Sequence, residues 1–189
     1  YLHDNLNLRN LAILISLYTG IRIGELCALQ WKDISFHEKT MSITKTVQRI
    51  ITNNCNVKTK LTVNTPKTES STRIIPLPDH LLKILKMFRS NNEHFILTDS
   101  IKPKDPRSVE KYFTNLLKKN NLPILNFHAL RHTFATRSRE AGMDIKILSK
   151  ILGHSSYHTT QEIYVHETMD FMRTSMNTLY KYMMSPKVR

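Results

Sequence analysis

Cysteine is scarce in this chain: Cys27 and Cys55 are the two among 189 residues. They form neither a disulfide framework nor the paired spacing of a thiolate metal site, so both read as structural thiols and a reducing compartment, the cytoplasm, is expected. Long apolar runs are missing too. Nothing approaches the roughly 18 residues that mark a membrane-spanning helix, and the opening YLHDNLNLRN has neither the basic end nor the apolar middle of a secretory signal. The chain therefore reads as soluble and not exported. Internal repeats and low-complexity linkers are absent, and the length suits one domain with a single good core. Acidic residues are few: 15 Asp and Glu stand against 28 Lys and Arg, a net charge of +13. Such an excess points to a polyanionic partner, because each neutralised phosphate releases counterions. Nucleic acid is the first expectation and an anionic membrane surface the second. The first residue is Tyr1 rather than Met, as in a piece of a longer protein.

What is present is mostly helical pattern. Between Leu8 and Tyr18 the apolar residues Leu11, Ala12, Leu14, Ile15 and Tyr18 recur at helical spacing, with Asn7 placed to cap and Gly20 to stop. A short second helix is expected in IGELCALQW. MSITKTVQRI, KTKLTVNT and STRIIPL are rich in β-branched residues and predict three strands of one antiparallel sheet. After Pro78 the pattern returns to helix in DHLLKILKMF, PRSVEKYFTNLLKK, FHALRHTFATRSREAG, DIKILSKIL, HTTQEIYV and MDFMRTSMNTLYKYMM. In the last of these Met169, Met172, Met176, Leu179 and Met183 step by three, four, three and four. That is a narrow seam suited to a groove on another subunit, or equally to its own core.

Three stretches carry chemistry. In TGIRIGEL, Arg22 follows the Gly20 stop at the mouth of a helix, where free backbone N–H groups favour an anion and a guanidinium adds a two-pronged donor. The alternative is an ordinary surface arginine. In NFHALRHTF, Asn126 is placed to cap a helix on which His128 and Arg131 stand three apart on one face. His132 lies four from His128, a spacing that two zinc ligands can use, but no carboxylate or thiolate is nearby to complete a site. In ILGHSSYHTTQEIYVH, Gly153 ends a helix, His154 sits in the following turn, and Tyr164 comes ten residues later. Taken alone, such a tyrosine is most simply half-buried packing.

Taken in order, the arginine of TGIRIGEL, the lysine of TPKTESSTRIIPLP, then HALRH, LGHSS and the tyrosine of TTQEIYVH resemble the catalytic domain of the tyrosine recombinase, or phage-integrase, family. The resemblance spans roughly residues 8 to 166 and involves five motifs in the family's order. It implies an α+β, mainly helical fold with one small three-stranded antiparallel sheet. It also implies a single catalytic domain over 1–189, with a C-terminal helix at about 168–184 and the family's N-terminal core-binding and arm-binding regions outside this chain. The catalytic residues it implies are Arg22, Lys67, His128, Arg131, His154 and Tyr164. Lys60 and Arg73, the other charges near the Lys67 turn, are expected to contact DNA. Ala129 departs from the acidic residue usual inside HxLR. The turn around Lys67 looks like that of integrases from phages and integrative conjugative elements.

The resemblance implies a reaction without cofactor or metal on double-stranded recombination sites. It is carried out by a homo-oligomer on DNA, a tetrameric synapse, with accessory DNA-bending proteins among the partners it admits and no membrane. A phosphodiester resists attack because its non-bridging oxygens are negative, so charge neutralisation and in-line positioning are both needed. Arg22 and Arg131 would fork onto those oxygens, as a lysine does less well, and His154 would donate to the same phosphate. Only about one phenol in a thousand is ionised at neutral pH. Tyr164 therefore needs an acceptor, and His128 is the candidate. Lys67 would protonate the departing 5′-oxygen. The 3′-phosphotyrosyl product stores the bond energy, so rejoining needs no ATP. A non-catalytic DNA-binding relative and a type IB topoisomerase remain the alternatives.

Overall fold

The computed structural model describes residues 1–54, 57–65, 71–154 and 169–183. Its centre is helix α1 (Leu8–Thr19). The Asn7 side chain accepts from the N–H groups of Arg9 and Asn10, each at 3.0 Å, which satisfies two of the donors that a helix start leaves open. At the other end Gly20 takes the left-handed conformation at φ 64° and donates to the Ser16 carbonyl. Leu11, Ala12, Ile13, Leu14 and Ile15 are all at least 98% buried, so α1 is apolar around most of its circumference and other helices surround it. Those are α2 (Ile23–Ala28), α3 (Asp79–Phe88), α4 (Pro106–Lys119) and α5 (Ala129–Glu140). Each fully buried Leu or Ile here contributes about 1.5–3 kcal/mol relative to exposure.

The strands differ from the sequence expectation. MSITKTVQRI is two strands rather than one, and the small strands form two antiparallel sheets. β1 (Ile34–Ser35), β2 (Thr40–Ile43) and β5 (Arg73–Pro76) make a three-stranded sheet in the order β1-β2-β5, with Met41 opposite both Ile34 and Ile75. β3 (Thr46–Asn54) and β4 (Val57–Asn64) form a separate ribbon, from Thr46 opposite Asn64 to Ile51 opposite Thr59. Burial explains the division: Met41, Ile43 and Ile75 alternate into the core, whereas Ile50, Ile51 and Val63 of the ribbon are exposed. The ribbon is tethered at its base. Arg49 donates to Thr59 Oγ1 at 2.7 Å and pairs with Asp105, the residue whose carboxylate caps α4. Gly24 of α2 lies so close to β3 that an added Cβ would come within 2.6 Å of Thr46 Oγ1 and 2.8 Å of the Val47 carbonyl.

The rest of the second half is α5, a helix packed beside it and β5, and a last helix. Asn126 accepts from the Ala129 N–H at 3.1 Å where α5 begins. Helix α6 (Ile145–Leu152) is capped by Asp144 and ends at Gly153, left-handed at φ 67°. Ala135 of α5 packs with Leu148 and Leu152 of α6 in a small cluster of their own. Helix α7 (Met169–Met183) completes the described chain. No helix among the described residues is long and apolar enough to cross a membrane.

Candidate active site at the ends of four helices

The carboxyl ends of α1 and α6 and the first turns of α2 and α5 meet at one corner. Helix ends expose carbonyls without intrahelical partners, and here arginines fill them. Arg131, 3% exposed, donates from one terminal nitrogen to the Gly20 carbonyl and from the other to the Leu152 carbonyl, each at 2.8 Å. Arg22, half-exposed, reaches the same Leu152 carbonyl at 3.4 Å and the Gly153 carbonyl at 3.2 Å. Two guanidiniums thus converge on one oxygen. The left-handed caps make this geometry, since a Cβ on Gly20 would strike the Phe134 ring at 2.5 Å and Leu152 at 2.8 Å.

One carboxylate underlies the pair. Glu25, 4% exposed, accepts from the Arg22 N–H at 3.1 Å and from the Arg22 guanidinium at 3.0 Å. Arg73 forks onto both of its oxygens, at 3.0 and 2.8 Å. Burial by itself pushes the Glu25 carboxyl up, but the hydrogen bonds and charge of Arg73, with those of Arg22, outweigh it and hold the group ionised. Three arginines, Arg22, Arg73 and Arg131, against one carboxylate leave the corner positive.

Two imidazoles stand beside it. Desolvation, and then the charges of Arg131, Arg22 and Arg73 and the nearby His128, push the half-buried His154 down to about 4. His128 is also lowered, by desolvation first and then by His132, Arg131 and Arg22. Both rings are therefore neutral at pH 7, and a neutral ring can accept a proton. The rings of His128 and His132 meet edge-on with centroids 4.8 Å apart. Among the described residues no group of three or more His, Cys, Asp or Glu is disposed to hold a metal ion.

The model of the Phage integrase family matches residues 3–170, most of the chain. The chain belongs to the phage integrase family. Among curated relatives, a tyrosine recombinase XerC-like protein of Caldanaerobacter subterraneus subsp. tengcongensis is 31% identical over 172 residues, covering 81% of this chain and 44% of the relative. The transposase from transposon Tn916 of Enterococcus faecalis is 29% identical over 187 residues, covering 89% and 45%. Among solved structures, the Tn1549 transposon integrase in complex with circular intermediate DNA aligns with a TM-score of 0.71 and 31% identity, over 90% of this chain and 59% of that one. The XerA recombinase aligns at 0.64 and 28% identity, over 91% and 58%. The mainly helical fold with small antiparallel sheets is the one those structures share. This integrase-family chain spans about half the length of the curated relatives it matches.

Of the residues singled out in the sequence, Arg22, His128, Arg131 and His154 are brought together. Lys67 and Tyr164 lie outside the described residues, as does Cys55. Cys27 is buried in the core, its thiol pushed up to about 12 mainly by desolvation. Lys60 is exposed on the ribbon opposite Ile50. Arg73 requires correction. Expected as a DNA contact, it is 9% exposed, and besides Glu25 it donates to the Ile151 carbonyl at 2.6 Å and the Ser71 carbonyl at 3.1 Å. A guanidinium so enclosed has no face to offer a DNA strand. Glu25 went unassigned in the sequence, although a lone acid three residues after a candidate phosphate-binding arginine was the available signal.

Proposed function

We propose that this chain is the catalytic domain of a site-specific DNA recombinase that integrates and excises a mobile element through a 3′-phosphotyrosyl intermediate, in the bacterial cytoplasm. The observation that carries the reading is the convergence of Arg22 and Arg131, from segments more than a hundred residues apart, on the Leu152 carbonyl. Groups that can reach one oxygen together can reach the oxygens of one phosphate together, which is what an in-line phosphoryl transfer needs. We assign neutral His154 as a donor to that phosphate and His128 as the acceptor of the phenolic proton. The nucleophile is Tyr164 and the acid for the leaving 5′-oxygen is Lys67. DNA-bound relatives such as the Tn1549 transposon integrase support the choice of partner. We further assign the working form to a homo-oligomer on DNA, a tetramer with α7 exchanged between subunits and with room for accessory bending proteins.

Randomised substrates let the test proceed without a defined target sequence. Nicked duplexes randomised around the break trap a covalent adduct once the short strand diffuses away. The wild-type protein is expected to retain a subset through an SDS-resistant bond, and peptide mapping is expected to place that bond on Tyr164. Tyr164→Phe removes one oxygen and keeps the ring, so DNA affinity should stay nearly unchanged while the adduct disappears. Adducts formed by Tyr164→Phe would remove the assignment of the nucleophile; binding without any wild-type adduct would favour a non-catalytic DNA-binding relative.

A further inference from the structure

Arg73 is an unusual residue for a short strand at the surface of the fold. It sits at the start of β5, is almost wholly buried, and its donors go to four acceptors on three parts of the chain: both Glu25 oxygens on α2, the Ile151 carbonyl on α6, and the Ser71 carbonyl just before its own strand. A packing role alone does not require a guanidinium here, since desolvating one is costly and apolar residues of similar volume often serve as well. The geometry of Glu25 suggests what the charge does. Arg73 takes the carboxylate with both terminal nitrogens, whereas Arg22 touches it with one side-chain nitrogen and directs the other to the Gly153 carbonyl. A buried carboxylate with no other partner would draw the nearest guanidinium into a full two-pronged pair, the strongest arrangement open to it.

We propose that Arg73 is a positioning residue. By occupying both oxygens of Glu25 it keeps that acid from drawing Arg22 into a full two-pronged pair, and so leaves the rest of the Arg22 guanidinium turned to the corner. The corner then holds Arg22 and Arg131 as cations available to a phosphate, with the Glu25 charge already answered from behind. The bond from Arg73 to Ile151 acts in the same sense, since it fixes the last turn of α6, whose Leu152 and Gly153 carbonyls aim Arg22. The inference rests on the proposed function only for its purpose; the electrostatic claim concerns phosphate at Arg22 whether or not cleavage follows.

The test is a charge-rescue cycle in the full-length protein, with inorganic phosphate as the probe and calorimetric titration at low salt as the readout. Arg22→Ala is expected to weaken phosphate binding about tenfold or more, the loss of a charge-assisted donor pair. Arg73→Met should weaken it to a similar extent although it touches no phosphate. Adding Glu25→Gln to Arg73→Met should restore most of the affinity, because the acid that captures Arg22 has been neutralised. A merely structural Arg73 predicts the opposite sign, since a second buried change would then deepen the defect. Should Arg73→Met alone fail to fold, the double variant decides, as it buries a neutral pair: affinity within about threefold of wild type supports the proposal, and affinity as low as that of Arg22→Ala overturns it. Wild-type binding that does not depend on Arg22 overturns it as well. A protein that shows the rescue but forms no DNA adduct supports the role of Arg73 while overturning the proposed function.

Discussion

Helices α4 and α7 have nearly the same length and both carry apolar residues at helical spacing, yet their surroundings are opposite. In α4, Val109, Phe113, Leu116 and Leu117 are at least 91% buried against α1, the Phe127 ring and their neighbours. In α7, Met176, Leu179 and Met183 are 65%, 49% and 64% exposed. Amphipathic pattern alone does not say whether the covering surface belongs to the same chain. For α4 it does, whereas those three residues of α7 stay half-exposed or more. The arginine corner sits on the α4 side of this contrast: its guanidiniums are held by carbonyls and a buried acid of the same chain. The corner arginines are thus held within the chain, whereas Met176, Leu179 and Met183 of the last helix stay exposed, as the proposed exchange of that helix between subunits would require.

The sharpest way to break this contrast is at the corner, where Arg131 and Arg22 should separate stability from chemistry. Arg131→Ala removes the donor to the Gly20 carbonyl and the shorter of two donors to the Leu152 carbonyl. We expect about 2–3 kcal/mol lost in urea unfolding and a fall in adduct formation of about a thousandfold or more. Arg22→Ala should cost a comparable factor in adduct formation but less than about 1 kcal/mol of stability, since it is half-exposed and Glu25 keeps Arg73. Equal stability losses in the two variants would mean that Arg22 is a structural residue rather than an available one.

Cutting the chain after Glu167 tests the other side. With the exposed face of α7 removed, unfolding free energy should change by less than about 0.5 kcal/mol, as for surface changes generally, and DNA binding by one subunit should persist. Assembly on paired sites, read by sedimentation, should be lost. If the shortened protein fails to fold, α7 belongs to its own core and the comparison with α4 collapses. A milder version, Leu179→Glu, should leave the unfolding curve in place and weaken assembly by about tenfold, the effect of an unpaired charge in an apolar interface.

The same division governs what the sequence could show. The limits of α1 were readable because Asn7 and Gly20 act on backbone groups within four residues of themselves, and α4 announces its start with Asp105 and Pro106. The sheets were not readable to that depth. β-branched content marks a strand but not its partner, and Ile43 and Thr46, close in one run, belong to separate sheets because Met41 and Ile75 share the core while the ribbon stands outside it. Arg22, His128, Arg131 and His154 were visible as an ordered set of motifs. Arg73 was misjudged because its decisive partner, Glu25, lies 48 residues earlier. No local pattern distinguishes an arginine aimed at DNA from one aimed inward.

The smallest predicted effect is also the one that most directly reports the charge of the corner. His154 faces Arg131 from α5, Arg22 from the start of α2, Arg73 from β5 and the ring of His128, and desolvation with these charges pushes it down to about 4. The unfolded chain protonates the same ring at its ordinary value near 6.5. Between those two pH values the unfolded state binds more protons, so this group makes the fold less stable as pH falls from about 6.5 toward 4 and has no effect above that window. A bound oxyanion opposes the field of the arginines and raises the ring's pKa, so this ring takes up a proton on binding and favours binding as pH falls. One imidazole therefore gives stability and phosphate affinity opposite slopes on the acid side of neutrality. The check is urea unfolding and titration with sulfate, a phosphate mimic whose charge does not change over this range, at pH 7.5, 6.5 and 5.5 for wild type and His154→Gln. The wild type should lose stability and gain affinity by a few-fold per unit, and both slopes should flatten in the variant. Slopes of the same sign would mean that His154 does not share the arginines' phosphate.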